Sequence, residues 1–99
     1  MIIAHQQTEA RGIYTYSDGD GAAHAQLTYS RAGQHLIIID HTEVPDTLRG
    51  IGVGRALVEQ AVEDARRLGH RIVPLCPFAR SQFQRFPQWW DVLEQFTKR

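Results

Sequence analysis

Apolar and polar positions change rhythm twice along this chain of 99 residues. Ile13 to Tyr16 is a short β-branched and aromatic run, the composition of a strand. Asp18-Gly19-Asp20-Gly21 is a dense turn signal, and Ala22 to Tyr29 follows it as the second arm of a hairpin. Ala32-Gly33-Gln34 turns the chain again into His35 to Val44, whose centre, Leu36-Ile37-Ile38-Ile39, is apolar at every position. An unbroken apolar run between turn signals predicts a strand buried on both faces. These three segments predict an antiparallel meander.

From Gly52 the period lengthens. Leu57, Val58, Ala61, Val62, Ala65 and Leu68 recur at spacings of one, three and four, the stripe of an amphipathic helix. Arg66 and Arg67 fall in its last turn, where the helix dipole favours cations, and Gly69 is placed to cap it. Arg71 to Leu75 then reads as a strand, and a helix joining neighbouring strands implies a right-handed parallel crossover. A second helix spans about Phe78 to Arg85 and stops at Pro87, and a short third one spans Trp89 to Phe96. The expected fold is one α/β domain over residues 1–99, a mixed α+β sheet with helices packed on it in the order βββαβαα.

Composition narrows the class without naming a function. The chain is 42% hydrophobic and 22% charged, which excludes disorder, and its apolar runs are far too short for a membrane helix. The N-terminus lacks a signal peptide's basic start and long apolar core, so cytoplasmic residence is expected. The single cysteine, Cys76, agrees with a reducing compartment. Net charge is zero but uneven: residues 1–48 carry two arginines against six acids, residues 49–99 nine bases against five. A basic half suits an anionic ligand, whereas a nucleic-acid binder would show a denser stripe and a positive total. The histidines show no paired metal-ligand spacing.

Arg49-Gly50-Ile51-Gly52-Val53-Gly54-Arg55 holds most of the chemistry. Three alternate glycines are unfavourable at a helix start unless backbone must approach something closely. Free N–H groups and the positive dipole end favour phosphate there, and Arg49 and Arg55 add charge. A P-loop would continue Gly-Lys-Ser/Thr, yet Arg55-Ala56 follows; a dinucleotide fingerprint would want its third glycine at Arg55 and an acid near Gly69-His70-Arg71. The remaining class is the pyrophosphate loop of acetyltransferases, Arg/Gln-x-x-Gly-x-Gly/Ala, placed after a strand and opening a helix. The plainer alternative is that the glycines serve only close helix–strand packing.

On these residues the chain resembles the GCN5-related N-acetyltransferase superfamily, in particular its small single-domain bacterial and plant members. His41-Thr42-Glu43-Val44-Pro45 running into Leu48–Gly54 carries the likeness. So does Val73-Pro74-Leu75-Cys76-Pro77-Phe78, continuing to Phe83 and Phe86-Pro87-Gln88-Trp89. The resemblance implies an acyl-CoA N-acyltransferase core. Backbone of Leu48 to Arg55, with Val44 on the strand before it, would then hold acetyl-CoA, or coenzyme A, by its pyrophosphate. The pantetheine arm would lie in a splay between the strand ends at Val44 and Leu75, and the thioester would reach His41 and Cys76. Larger members add helices and a C-terminal hairpin that build the acceptor pocket, and this chain has no sequence for them.

Cys76 precedes Pro77 at a helix start, where the dipole favours thiolate, with Arg80 one turn on as a further cofactor-binding candidate. A thiolate beside a thioester can take up the acetyl group; a buried, inert cysteine is the alternative. His41 is the candidate base, and Glu43 shares its strand face if no bulge intervenes; an ordinary strand edge is the alternative. The aromatic tail, Phe78, Phe83, Phe86, Trp89, Trp90 and Phe96, reads as core, with one or two rings left to cover a cofactor or form a dimer surface. The expected activity is acetyl transfer from acetyl-CoA to an amine of a small molecule or protein, by a monomer or weak homodimer. The rivals are a non-catalytic CoA-binding module and a structural interaction domain.

Overall fold

The computed structural model describes residues 2–18 and 23–94. Strands β1 (Ile3–Gln7), β2 (Arg11–Ser17), β3 (His24–Ala32), β4 (Leu36–Glu43) and β5 (Arg71–Pro74) form one sheet in that order. β1 to β4 are antiparallel neighbours, and β5 runs parallel to β4. Helix α1 (Val53–Leu68) makes the crossover between β4 and β5, and α2 (Pro77–Arg85) follows β5. Short 3-10 helices occupy Asp46–Leu48 and Pro87–Val92. The mixed sheet and crossover are those that the hydrophobic pattern predicts.

Three details differ from the sequence reading. β1 is an additional edge strand, invisible as a pattern because only Ile3 among its five residues escapes full exposure. Ile37 and Ile39 are buried, whereas Leu36 and Ile38 are only partly so, because the buried core lies on one face of the sheet. The expected last helix is a 3-10 turn that ends at Val92, after which Leu93 bridges to Ile72 and Glu94 N–H donates to the Ile72 carbonyl at 2.8 Å. The expected hairpin turn falls largely on 19–22, and Phe96 on 95–99, outside the described residues.

The core forms where the two periodicities meet. Val53, Leu57, Val58, Ala61, Val62 and Ala65 of α1 are buried against Tyr14, Leu27, Tyr29, Ile37 and Ile39 of the sheet. Fully burying each large aliphatic side chain contributes about 1.5–3 kcal/mol. Gly69, at φ 76°, terminates α1 in the left-handed conformation, with its N–H on the Ala65 carbonyl. Leu68, the last member of the expected stripe, is 51% exposed beside that cap.

One irregularity in β4 decides which side chains reach the helices. Tyr29 pairs with Ile39, but Thr28 pairs with His41, so Asp40 is an extra residue without a partner. This is a β-bulge. Ser30 Oγ donates to Asp40 Oδ2 at 2.6 Å, holding Asp40 on the sheet face that bears Ser30. Beyond the bulge Thr42 pairs with buried Leu27, while His41 and Glu43 pair with Thr28 and Gln26 on the other face.

Candidate functional site

β4 leaves the sheet through Pro45 and the 3-10 turn, and Leu48 anchors that turn in the core. Two residues then take left-handed backbone, Gly50 at φ 84° and Gly52 at φ 82°. Their side-chain positions are open, so the conformation rather than crowding requires glycine. Gly54 has ordinary helical backbone, and there the space matters: a Cβ would stand 2.7 Å from the Phe78 ring of α2. The three alternate glycines therefore serve two purposes, turning the chain and letting α2 close on α1.

Gly52 caps α1 without a side-chain hydrogen bond, and no acid occupies the first turn. The first backbone bond belongs to Ala56 N–H, so the amides from Gly52 to Arg55 carry the unpaired donors of the helix start. They face a cavity of about 710 Å³. Arg49, Arg55 and Arg85 bring positive charge to its lining beside Gly50 and Gly52, and Thr42, Val44, Phe78 and Gln82 line it as well. Arg55 and Arg85 stack on Phe86, their guanidinium carbons 5.4 and 5.6 Å from the ring centre. Arg49 Nε lies 3.2 Å from Asp46 Oδ1, an exposed pair that leaves most of its donors available.

Beside cavity-lining Thr42, two parallel strands part. The Ile39 carbonyl accepts from both Leu75 and Cys76 N–H, at 3.2 and 3.1 Å, and closes the ladder between β4 and β5. Past it, β4 pairs only with β3 while β5 turns into α2. Cys76 caps α2 ahead of Pro77 and is 4% exposed; its Sγ donates weakly to Thr42 Oγ1 at 3.5 Å. Thr42 thus stands between the cavity and the sulfur.

The sequence-derived residues are distributed as follows. Val44, Leu48, Arg49, Gly50, Gly52, Val53, Gly54 and Arg55 line the cavity together. Ile51, between the two left-handed glycines, is 58% exposed and lines no part of it. Arg80 lies elsewhere: it donates to the Leu75 carbonyl and lines a separate concavity of about 300 Å³ with Trp90 and Leu93. His41 and Glu43 share the other sheet face, His41 Nε2 3.7 Å from Glu43 Oε2, both well exposed. The bulge precedes both, so their common face survives it.

Thr42, Phe78, Gln82 and Arg85 line the cavity without having been named for it. Phe78, Gln82 and Arg85 recur at helical spacing on one face of α2, a signal that sequence offers only once the partner of that face is known. Gln82 is 6% exposed, and its Oε1 has no hydrogen-bond partner. A buried unpaired acceptor costs about 1–3 kcal/mol. Among the described residues, no group of three or more His, Cys, Asp or Glu is arranged to hold a metal, and no helix is long and apolar enough to cross a membrane.

The family model for GCN5-related N-acetyltransferases matches residues 12–92, from β2 through the last 3-10 turn. The chain belongs to this family. A solution NMR structure of a GCN5-like candidate N-acetyltransferase from Staphylococcus aureus is similar at 32% identity and a TM-score of 0.68. The match covers 96% of this chain and 94% of that one. No curated protein matches the chain. As a family member the chain is an acyltransferase, and the parted strands beside a glycine-rich helix start are its corresponding features.

Proposed function

We propose that this acyltransferase uses acetyl-CoA and delivers the acetyl group to an amine. The observation that carries the reading is the cavity itself, which an uncapped helix start and three arginines line together with the uncharged Thr42, Val44 and Phe78. Amides from Gly52 to Arg55 and the Arg49, Arg55 and Arg85 side chains hold the pyrophosphate. Thr42, Val44 and Phe78 flank the pantetheine arm. When bound, acetyl-CoA supplies an activated thioester. Cys76, as thiolate, takes the acetyl group on Sγ as the CoA thiolate leaves; the amine then attacks that acyl carbon and regenerates the cysteine thiolate. His41, steadied by Glu43, accepts the proton that the amine loses. The burial of Cys76 favours a second reading, a CoA-binding module without turnover.

Thermal unfolding with acetyl-CoA, CoA, NAD or ATP tests the cofactor. Saturation at a hundred times the dissociation constant stabilises by about 2.7 kcal/mol, which raises the midpoint by about 10 °C or more. The expected result is a shift with the two CoA forms alone. It should vanish in Gly52→Asp, whose carboxylate would occupy the helix amides itself; no shift in the native chain would overturn the proposal. Intact mass after brief incubation with acetyl-CoA tests the cysteine. One added acetyl group, absent from Cys76→Ala, is expected; turnover that persists in Cys76→Ala would leave direct attack by the amine. Binding with no transfer to any of a panel of amines would establish the module instead.

A further inference from the structure

The cavity and the sulfur meet at one side chain. Thr42 lines the cavity, Cys76 does not, and the Cys76 thiol donates to Thr42 Oγ1 at 3.5 Å. Cys76 begins α2 but makes no side-chain capping bond, so the helix amides do not engage its sulfur. The charged side chains nearby in sequence are turned elsewhere. His41 pairs with Glu43 on the other sheet face, and Arg80 donates to the Leu75 carbonyl. A threonine hydroxyl that accepts one hydrogen bond still has its own proton to donate. Among the described residues nothing accepts that proton from Thr42, which leaves it for a group that enters the cavity. Valine would fill the same space opposite Leu27 without the hydroxyl.

Exchange of an acetyl group between two thiols moves one proton from the attacking sulfur to the departing one. We propose that Thr42 carries that proton. Cys76 Sγ bonds to the acyl carbon as the bond from that carbon to the CoA sulfur breaks. In the same step Thr42 Oγ1 takes the Sγ proton and releases its own to the departing sulfur. The hydroxyl ends as it began. Cys76 gains thiolate character only as it attacks, no net charge is created, and no external base is needed. This rests on the acetyl-CoA reading and on Cys76 as the acyl carrier. It divides the reaction between two residues: Thr42 serves the exchange between sulfurs from the cavity side, and His41 serves the amine from the other sheet face. The Asp40 bulge makes that division possible, because it sets Thr42 and His41 on these opposite faces.

Thr42→Val and Thr42→Ser, set beside the native chain, test the relay. The first measurement needs no cofactor: alkylation of Cys76 by iodoacetamide, followed by intact mass. The thiolate is the species alkylated, and a hydroxyl that donates to it stabilises it. Thr42→Val should react about tenfold more slowly, and Thr42→Ser at the native rate. The second measurement is the pH profile of acetyl uptake by Cys76 from acetyl-CoA. Between about pH 6 and 8 it should be nearly flat in the native chain and in Thr42→Ser. In Thr42→Val it should be slower and climb about tenfold per pH unit, since the sulfur must then ionise before it attacks. Equal alkylation rates in all three proteins would overturn the coupling of Thr42 to the sulfur. One shared profile of acetyl uptake in the native chain and Thr42→Val would overturn the relay while leaving Cys76 as carrier. CoA binding by the native chain without acetyl uptake would overturn the covalent route and the relay together. No CoA binding at all would overturn the cofactor reading as well.

Discussion

Gly12 and Gly54 each face an aromatic ring, and the two rings differ in freedom. A Cβ on Gly12 would overlap the Tyr29 ring, which is 2% exposed and pinned by hydrogen bonds with His5 and Gln7. That ring has nowhere to go. Gly12→Ala is therefore expected to destabilise by about 1–3 kcal/mol, read as a lowered urea midpoint. The Phe78 ring facing Gly54 is 37% exposed and can swing outward, and alanine gains about 1 kcal/mol of helix propensity over glycine. Gly54→Ala should unfold close to the native midpoint but bind CoA more weakly, because Phe78 is displaced at the cavity wall. Equal destabilisation in the two variants would refute this contrast.

Among the elements, β1 is held by its ladder to β2 and also by one histidine. The His5 ring stacks on Tyr14 at 4.1 Å, nearly parallel, and its Nε2 lies 2.7 Å from the Tyr29 hydroxyl. Tyr14 in turn donates to Asp64 of α1 at 2.7 Å. Burial pushes the His5 pKa below its ordinary value, against a smaller opposing pull from Asp64 and with a minor push from Arg67. His70, also partly buried, is lowered for the same reason, with Arg31 and His35 adding to it. For both, the unfolded chain binds protons more readily than the folded one. Their contribution is complete above the unfolded value of about 6.5 and is lost as pH falls through the folded values. Asp64 is also lowered, burial opposing and hydrogen bonds from Tyr14, Arg67 and Gln60 prevailing, but its window lies in the carboxylate range. Thermal midpoints should thus fall between about pH 7 and 5, and His5→Phe, which keeps the stack, should reduce that slope. An unchanged slope would remove His5 from the account.

The same elements show what the sequence could reveal. β4 and α1 were legible because their apolar runs are long, and β5 because Gly69 ends α1 just before its short apolar run. β1 was not, since Ile3-Ala4-His5-Gln6-Gln7 has no apolar period and carries a histidine–tyrosine stack that no pattern announces. The last segment is a 3-10 turn where a helix is expected, because aromatic spacing looks alike in both. There the Trp90 indole donates to the Phe83 carbonyl at 2.6 Å, and Arg66 grips Asp91 with two short hydrogen bonds. Those contacts tie the turn to α2 and α1, and the Leu93 bridge and Glu94 amide then join the chain to Ile72 of β5 instead of a continued helix.

At the level of the whole molecule, the lopsided charge of the sequence becomes a location. Arg49, Arg55 and Arg85 line one cavity, though one comes from the turn, one from α1 and one from α2. The turn was readable because its glycines alternate within five consecutive residues. The wall contributed by α2 was not, since Gln82 and Arg85 look like ordinary polar positions until Gly54 brings that helix close. Asp40 settles the remaining geometry. Its bulge acts on side-chain direction as a single-base insertion acts on a reading frame: everything upstream keeps its face, and everything downstream exchanges it. In an uninterrupted strand His41 would point at the helices, and Thr42 would point away from Cys76. A one-residue deletion in β4 would therefore barely alter composition or hydropathy, yet it would exchange the faces of His41 and Thr42. Length changes along this strand are tolerable only in pairs.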